Sequence, residues 1–115
     1  MIVRPATPAD MLELHPEPLP RSARVQAAEA NGRPIAIWGV YPENAAHQLF
    51  ASFSPEFRAS KRNFVKGIEA LKAFLAQRPA MPVYAYEEET IPNADVLLRH
   101  IGFTNVSGRD WIWTP

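Results

Sequence analysis

The sequence predicts a mixed α/β domain built around one central sheet. Three observations carry this. Asn31-Gly32 stands between two strand-like runs, where a two-residue hairpin turn needs residues that tolerate positive φ. Apolar residues from Phe57 to Leu75 recur at spacings of three and four, the period of a helix buried on one face. The remaining segments alternate, giving the order strand, helix, hairpin plus strand, helix, strand, helix, strand pair.

The elements follow in chain order. Residues 2–4 read as a short strand. Thr7 is a good N-cap and Pro8 suits the first helical position, so a brief helix covers 8–14, with Met11, Leu12 and Leu14 facing inward. The proline-rich stretch 15–20 ends it and reads as an extended connection. Strands over 24–30 and 33–41 flank the Asn31-Gly32 turn. The second is apolar on both faces, which suits a central position. Residues 42–47 turn the chain into a third long strand, 47–53. Ser54-Pro55 repeats the cap-plus-proline pattern ahead of one helix carrying Phe57, Phe64, Val65, Ile68, Leu71, Phe74 and Leu75, which ends before Pro79. A strand over 81–87 follows. Asn93 can cap a short helix that Gly102 terminates. A strand pair around Ser107-Gly108 closes the chain.

Bulk properties bound the function. The chain has 115 residues, the size of one compact domain spanning 1–115. Twelve Lys+Arg balance twelve Asp+Glu, so any electrostatic role must come from local clustering. Nucleic-acid binding is disfavoured on the same ground. There are no cysteines, which removes disulfides, Cys-ligated zinc and thiol nucleophiles. The first ten residues lack the apolar core of a signal peptide, and no apolar run can span a bilayer. The expectation is a soluble intracellular domain without a membrane role.

Four cations, Arg58, Lys61, Arg62 and Lys66, crowd a helix start where the dipole is already positive. Arg58, Arg62 and Lys66 repeat every four residues and so share a helix face, which is either a solvated face or an anion site. His15, His47 and His100 have no metal-like spacing and read as surface or satisfied histidines. Trp111 and Trp113 point to one face of the last strand, Ile112 to the other. That face is either core or an aromatic patch for a protein partner.

In order and spacing these motifs resemble the GCN5-related N-acetyltransferase (GNAT) superfamily. The opening IVRPATPAD resembles its start, the Asn-Gly hairpin its central meander, and VLLRHIGFTNV its last helix and following strand. SPEFRASKRNF falls where that family binds pyrophosphate. The basic helix start, the short last helix and the aromatic C-terminus also resemble the acyltransferase-like internal virion proteins of short-tailed phages. The resemblance implies a compact GNAT-like acyl-CoA N-acyltransferase fold and a site for acetyl-CoA or CoA.

On that resemblance the residues of the site can be placed. The family loop reads Q/R-x-x-G-x-G/A, with backbone N–H groups on the pyrophosphate. Arg58 matches its first position, while Lys61 and Asn63 stand at the two glycine positions. Asn63 tolerates a left-handed conformation; Lys61 would incur about 1 kcal/mol and its side chain obstructs the approach. The cofactor-binding candidates are therefore Arg58, Lys61, Arg62, Asn63 and Phe64, with charge replacing the glycine cradle. Many relatives protonate the departing thiolate with a tyrosine four residues before the last Gly-Phe; here that residue is Leu98. Tyr84 and Tyr86 are substitutes. Glu87, Glu88 and Glu89 offer a base, or form a solvated turn.

The reading that follows is a phage-type GNAT-fold protein with a degenerate acetyl-CoA site. It would act by binding a host enzyme or a virion protein, in the cytoplasm of an infected host or in the virion. The alternative is an active acetyl-CoA-dependent N-acetyltransferase, and a third reading is a purely structural virion part. No metal is implied, and the oligomeric state is not encoded in any of these features.

Overall fold

The computed structural model describes residues 1–77, 81–88 and 91–115. Seven strands form one mixed sheet in the order β1-β2-β3-β4-β5-β7-β6. They are β1 (Ile2–Pro5), β2 (Arg24–Ala30), β3 (Arg33–Glu43), β4 (Ala46–Phe53), β5 (Val83–Tyr86), β6 (Thr104–Ser107) and β7 (Asp110–Trp113). All pairings are antiparallel except β4 with β5. Among the described residues four helices complete the fold: α1 (Pro8–Leu14), α2 (Pro55–Ala59), α3 (Lys61–Ala76) and α4 (Ala94–Ile101).

Strand alternation divides the side chains between two faces. On one face Ala36, Trp38 and Val40 of β3 stand opposite Phe53, Ala51 and Leu49 of β4. Phe57 of α2, Ile68, Leu71, Phe74 and Leu75 of α3, and Leu98 and Ile101 of α4 close over them in one core. The rings of Phe53, Phe57 and Phe64 meet there at centroid separations of 5.1–6.4 Å. On the other face the fully buried pair Ala27 and Ile37 lies beneath α1.

Both cap-plus-proline signals form as the residues dictate. Thr7 accepts from the Asp10 N–H at 3.3 Å while Asp10 accepts from the Thr7 N–H at 2.7 Å, a capping box. Arg4 then clamps the Asp10 carboxylate with two bonds, at 2.6 and 3.1 Å, and reaches Glu29 at 2.9 Å. Ser54 caps α2 through the Phe57 N–H.

Several expectations are corrected. The helix after Ser54 is two helices. Ser60 ends α2 in an extended conformation and caps α3 by accepting from the Asn63 N–H at 3.2 Å. Arg58 therefore belongs to a different helix from Arg62 and Lys66, and the three share no face. Leu12 is 72% exposed rather than inward, because a two-turn helix lying on a sheet face buries only the side turned to it; Met11 and Leu14 are half-buried. Val65 also faces solvent. β3 and β4 extend to a two-residue turn at Asn44-Ala45, both at positive φ. Asn93 precedes α4 in a left-handed conformation and makes no side-chain cap. Trp111 is buried and Trp113 packs against the core, so their face is core and not an exposed aromatic patch.

Candidate functional site: a cleft between two diverging strands

β4 and β5 are paired only at His47 with Val83 and Gln48 with Tyr84. Beyond Gln48 the strands part. β4 continues to Phe53 with no further paired β5 residue. The gap opens a cavity of about 670 Å³ that passes through the sheet. Arg58, Leu71, Leu98 and Ile101 line it on the α3–α4 side. His15, Tyr41, Phe50, Ser52 and Tyr86 line it on the α1 side, with Glu88 at its margin.

The strand edge itself is polar. The His47 N–H donates across to the Pro82 carbonyl at 3.0 Å, on the β5 side. Strand N–H groups alternate sides, so those of Leu49 and Ala51 also point towards β5; Leu49's completes the Gln48–Tyr84 pairing, and Ala51's lies beyond the last paired residue. The Ser54 N–H, of the opposite parity, donates to Ile35 of β3 at 2.8 Å, as this alternation demands. The Leu49 carbonyl takes a bond from the Gln48 side-chain amide at 3.3 Å. The cleft thus presents the Ala51 N–H as a backbone donor on one wall, held by a central strand.

The N-terminus of α3 stands beside the cleft's Arg58. The first intrahelical bond runs from the Phe64 N–H to the Ser60 carbonyl at 2.8 Å, and Ser60 Oγ takes the Asn63 N–H. The first-turn N–H groups of Lys61 and Arg62 then remain as donors, since a helix cannot satisfy its own first turn. Their side chains are exposed on the same turn. Lys61 and Asn63 have helical backbones. Neither is among the residues at positive φ, so the expected left-handed Asn63 and the cost at Lys61 do not arise. The Phe64 side chain is committed to the aromatic cluster with Phe53 and Phe57, leaving only its backbone near the turn.

The other candidates separate by strand parity. Glu87 lies on the helical face, where its carboxylate accepts from the Trp111 indole N–H at 2.6 Å; it does not line the cleft. Glu88 does. Glu89 lies outside the described residues. Tyr84 and Tyr86 are exposed on the opposite face of β5, and only Tyr86 lines the cleft. Leu98 is buried and lines the cleft, so an apolar side chain occupies that wall.

Two lining residues escaped the sequence reading. Tyr41 sits on β3 opposite Gln48, and burial pushes its hydroxyl pKa up, with the charge of Glu43 adding to the effect. It is a protonated donor at neutral pH. His15 stands at the end of α1 with Nδ1 3.2 Å from Ser52 Oγ. Nothing local marked either residue, because the sheet topology alone brings them together.

No protein-family model and no curated protein matches the chain. Solved structures do. The ribosomal-protein-S18-alanine N-acetyltransferase from Escherichia coli matches with a TM-score of 0.66 at 14% identity, covering 96% of this chain and 88% of that one. A GNAT family acetyltransferase from Elizabethkingia anophelis, solved with acetyl-CoA bound, matches at TM-score 0.62 and 16% identity, covering 92% and 77%. The fold is that of the GNAT acetyltransferases. An IAA acetyltransferase from Bacillus cereus ATCC 14579 extends the likeness to TM-score 0.65 at 12% identity, over 96% of this chain and 95% of that one. Within this GNAT fold no helix among the described residues is long and apolar enough to cross a membrane. No cluster of three or more His, Asp or Glu among them could hold a metal ion.

Proposed function

We propose that the protein is an acyl-CoA-dependent N-acyltransferase, taking its acyl-CoA in the β4–β5 cleft and an amine acceptor from the α1 face. The observation that carries this is the parting of β4 from β5 after Gln48, which opens a polar-edged cavity through the sheet. The likeness to solved acetyltransferases, one with acetyl-CoA bound, supports it through the fold.

The residues fit a CoA ester. Arg58 and the first turn of α3 supply cations and two N–H groups for a pyrophosphate, with the helix dipole behind them. Acetyl-CoA, when bound, supplies an activated acetyl thioester. The Ala51 N–H is a preorganised donor for a carbonyl oxygen on which negative charge develops, an effect worth about 3 kcal/mol. Tyr86 or Tyr41 holds the proton that a departing thiolate needs, because Leu98 cannot supply one. Glu88, not Glu87, brings a carboxylate to the cleft margin.

The test is release of free thiol from acetyl-CoA in the presence of primary amines. Arg58→Ala should lower kcat/KM for acetyl-CoA by about tenfold or more, the loss expected of a hydrogen-bonded charge contact. Absence of amine-dependent thiol release from the wild-type protein would contradict the reading.

A second reading keeps the fold without the chemistry: acyl-CoA binding is residual and the protein works by holding a host enzyme or a virion protein. Lys61 and Asn63 in place of glycines, and Leu98 in the cleft wall, favour it. A phage setting rests on the likeness of the basic helix start, short last helix and aromatic C-terminus to internal virion proteins. This reading expects capture of one defined partner regardless of CoA.

A further inference from the structure

We propose that His15 is the proton acceptor for the attacking amine, with Ser52 as its positioning residue. This rests on the acyl-transfer reading above.

His15 ends α1, where its backbone N–H bonds to the Met11 carbonyl at 2.8 Å and fixes the Cα. Pro16, Pro18 and Pro20 follow, stiffening the chain that leaves it. Its ring packs 5.3 Å from the Phe50 ring, tilted by 43°. Its Nδ1 lies 3.2 Å from Ser52 Oγ. Phe50 and Ser52 are both on the α1 face of β4, on the stretch that has lost its β5 neighbour. The imidazole is therefore held by a helix end, an aromatic ring and a hydroxyl, and half-buried in the wall from which an acceptor would enter. With Nδ1–H donating to Ser52, Nε2 carries the lone pair. Glu17, Tyr41, Arg58, Tyr86 and Glu88 are the titratable and charged groups that share this cleft.

The acceptor arrives as an ammonium ion. His15 Nε2 takes one of its protons and passes it to solvent. The freed nitrogen lone pair forms the C–N bond at the thioester carbonyl carbon, and the C–S bond breaks. The second nitrogen proton leaves as the amide forms, balancing the proton taken by the departing thiolate. The products are an N-acyl amine, free CoA thiol and one released proton.

Two measurements test this. Long-range ¹⁵N–¹H correlation spectra, assigned by comparison with His15→Gln, should show neutral His15 protonated on Nδ1; a proton on Nε2 would overturn the assignment. Initial rates are then taken from pH 6 to 9 with acetyl-CoA and 2-phenylethylamine, spermidine or a peptide beginning with alanine. His15→Gln should lower kcat by about 100-fold or more and leave a rate that climbs with pH across the whole range, following the free-amine fraction of the acceptor alone, while KM for acetyl-CoA stays within about twofold. Ser52→Ala should weaken kcat less, and Ser52→Thr should restore it. Wild-type rates and profile in His15→Gln would overturn the proposal, as would a wild-type protein that binds acetyl-CoA by calorimetry yet acylates none of the three amines. Failure to bind acetyl-CoA at all would instead sink the reading on which it rests.

Discussion

The indole N–H of Trp111 donates to the Glu87 carboxylate at 2.6 Å, locking the end of β5 to β7 on the helical face. The Arg99 guanidinium covers the same indole at 5.1 Å from its centroid. Glu87 is thereby a structural carboxylate. Glu87→Ala should cost about 1.5–3 kcal/mol, the range for a hydrogen bond to a charged group, and leave acetyl-CoA affinity unchanged. Urea unfolding read beside a calorimetric titration separates the two effects.

Gly67 faces the Phe57 ring so closely that an added Cβ would overlap it, and Phe57 is fully buried. Gly67→Ala should destabilise by about 2–3 kcal/mol through overpacking, despite alanine's better helix propensity. In a Phe57→Leu background the same change should cost far less. A double-mutant cycle by thermal unfolding measures the coupling.

Ala45 is held at φ +60 in the β3–β4 turn, where its Cβ opposes the backbone. Ala45→Gly should stabilise by up to about 1 kcal/mol, because relief of the left-handed strain outweighs glycine's extra chain entropy. A rise of a few degrees in Tm would confirm it; no rise, or a fall, would show that the turn carries no strain.

Asp10 is 4% exposed, and its pKa is lowered to about 2, first by the Arg4 hydrogen bonds and then by those from Thr7. A depressed folded-state value means the stabilisation is complete above the unfolded value of about 4 and is lost as pH falls from 4 towards 2. Its size is about 2.5 kcal/mol at most. Denaturant midpoints for wild type should fall over that window, and those for Asp10→Asn should be lower at pH 7 and flatter below pH 4.

Most of the architecture is legible in the residues because its signals are local. Asn31-Gly32 sets one hairpin, Thr7-Pro8 and Ser54-Pro55 start two helices, and Gly102 ends another at φ +117. The break at Ser60 was hidden because Phe57 and Phe64 lie seven residues apart, a spacing that one continuous helix would also produce. Asn44-Ala45 carries no two-residue turn signal in the sequence, because alanine seldom accepts positive φ. The site was the least legible part. Arg58 stands out in the sequence by its place next to a helix start. His15, Tyr41 and Ser52 come from three separate segments and meet only because β3 pairs with β4 and α1 packs on that face of the sheet.

The most direct test of the acyl-CoA cleft is a calorimetric titration of the wild-type protein and Arg58→Ala with acetyl-CoA, followed by thermal unfolding with ligand. The account predicts one-to-one binding weakened about tenfold by Arg58→Ala. It also predicts stabilisation of about 2.7 kcal/mol when the ligand is 100-fold above Kd. No heat and no shift in Tm at millimolar acetyl-CoA would contradict it.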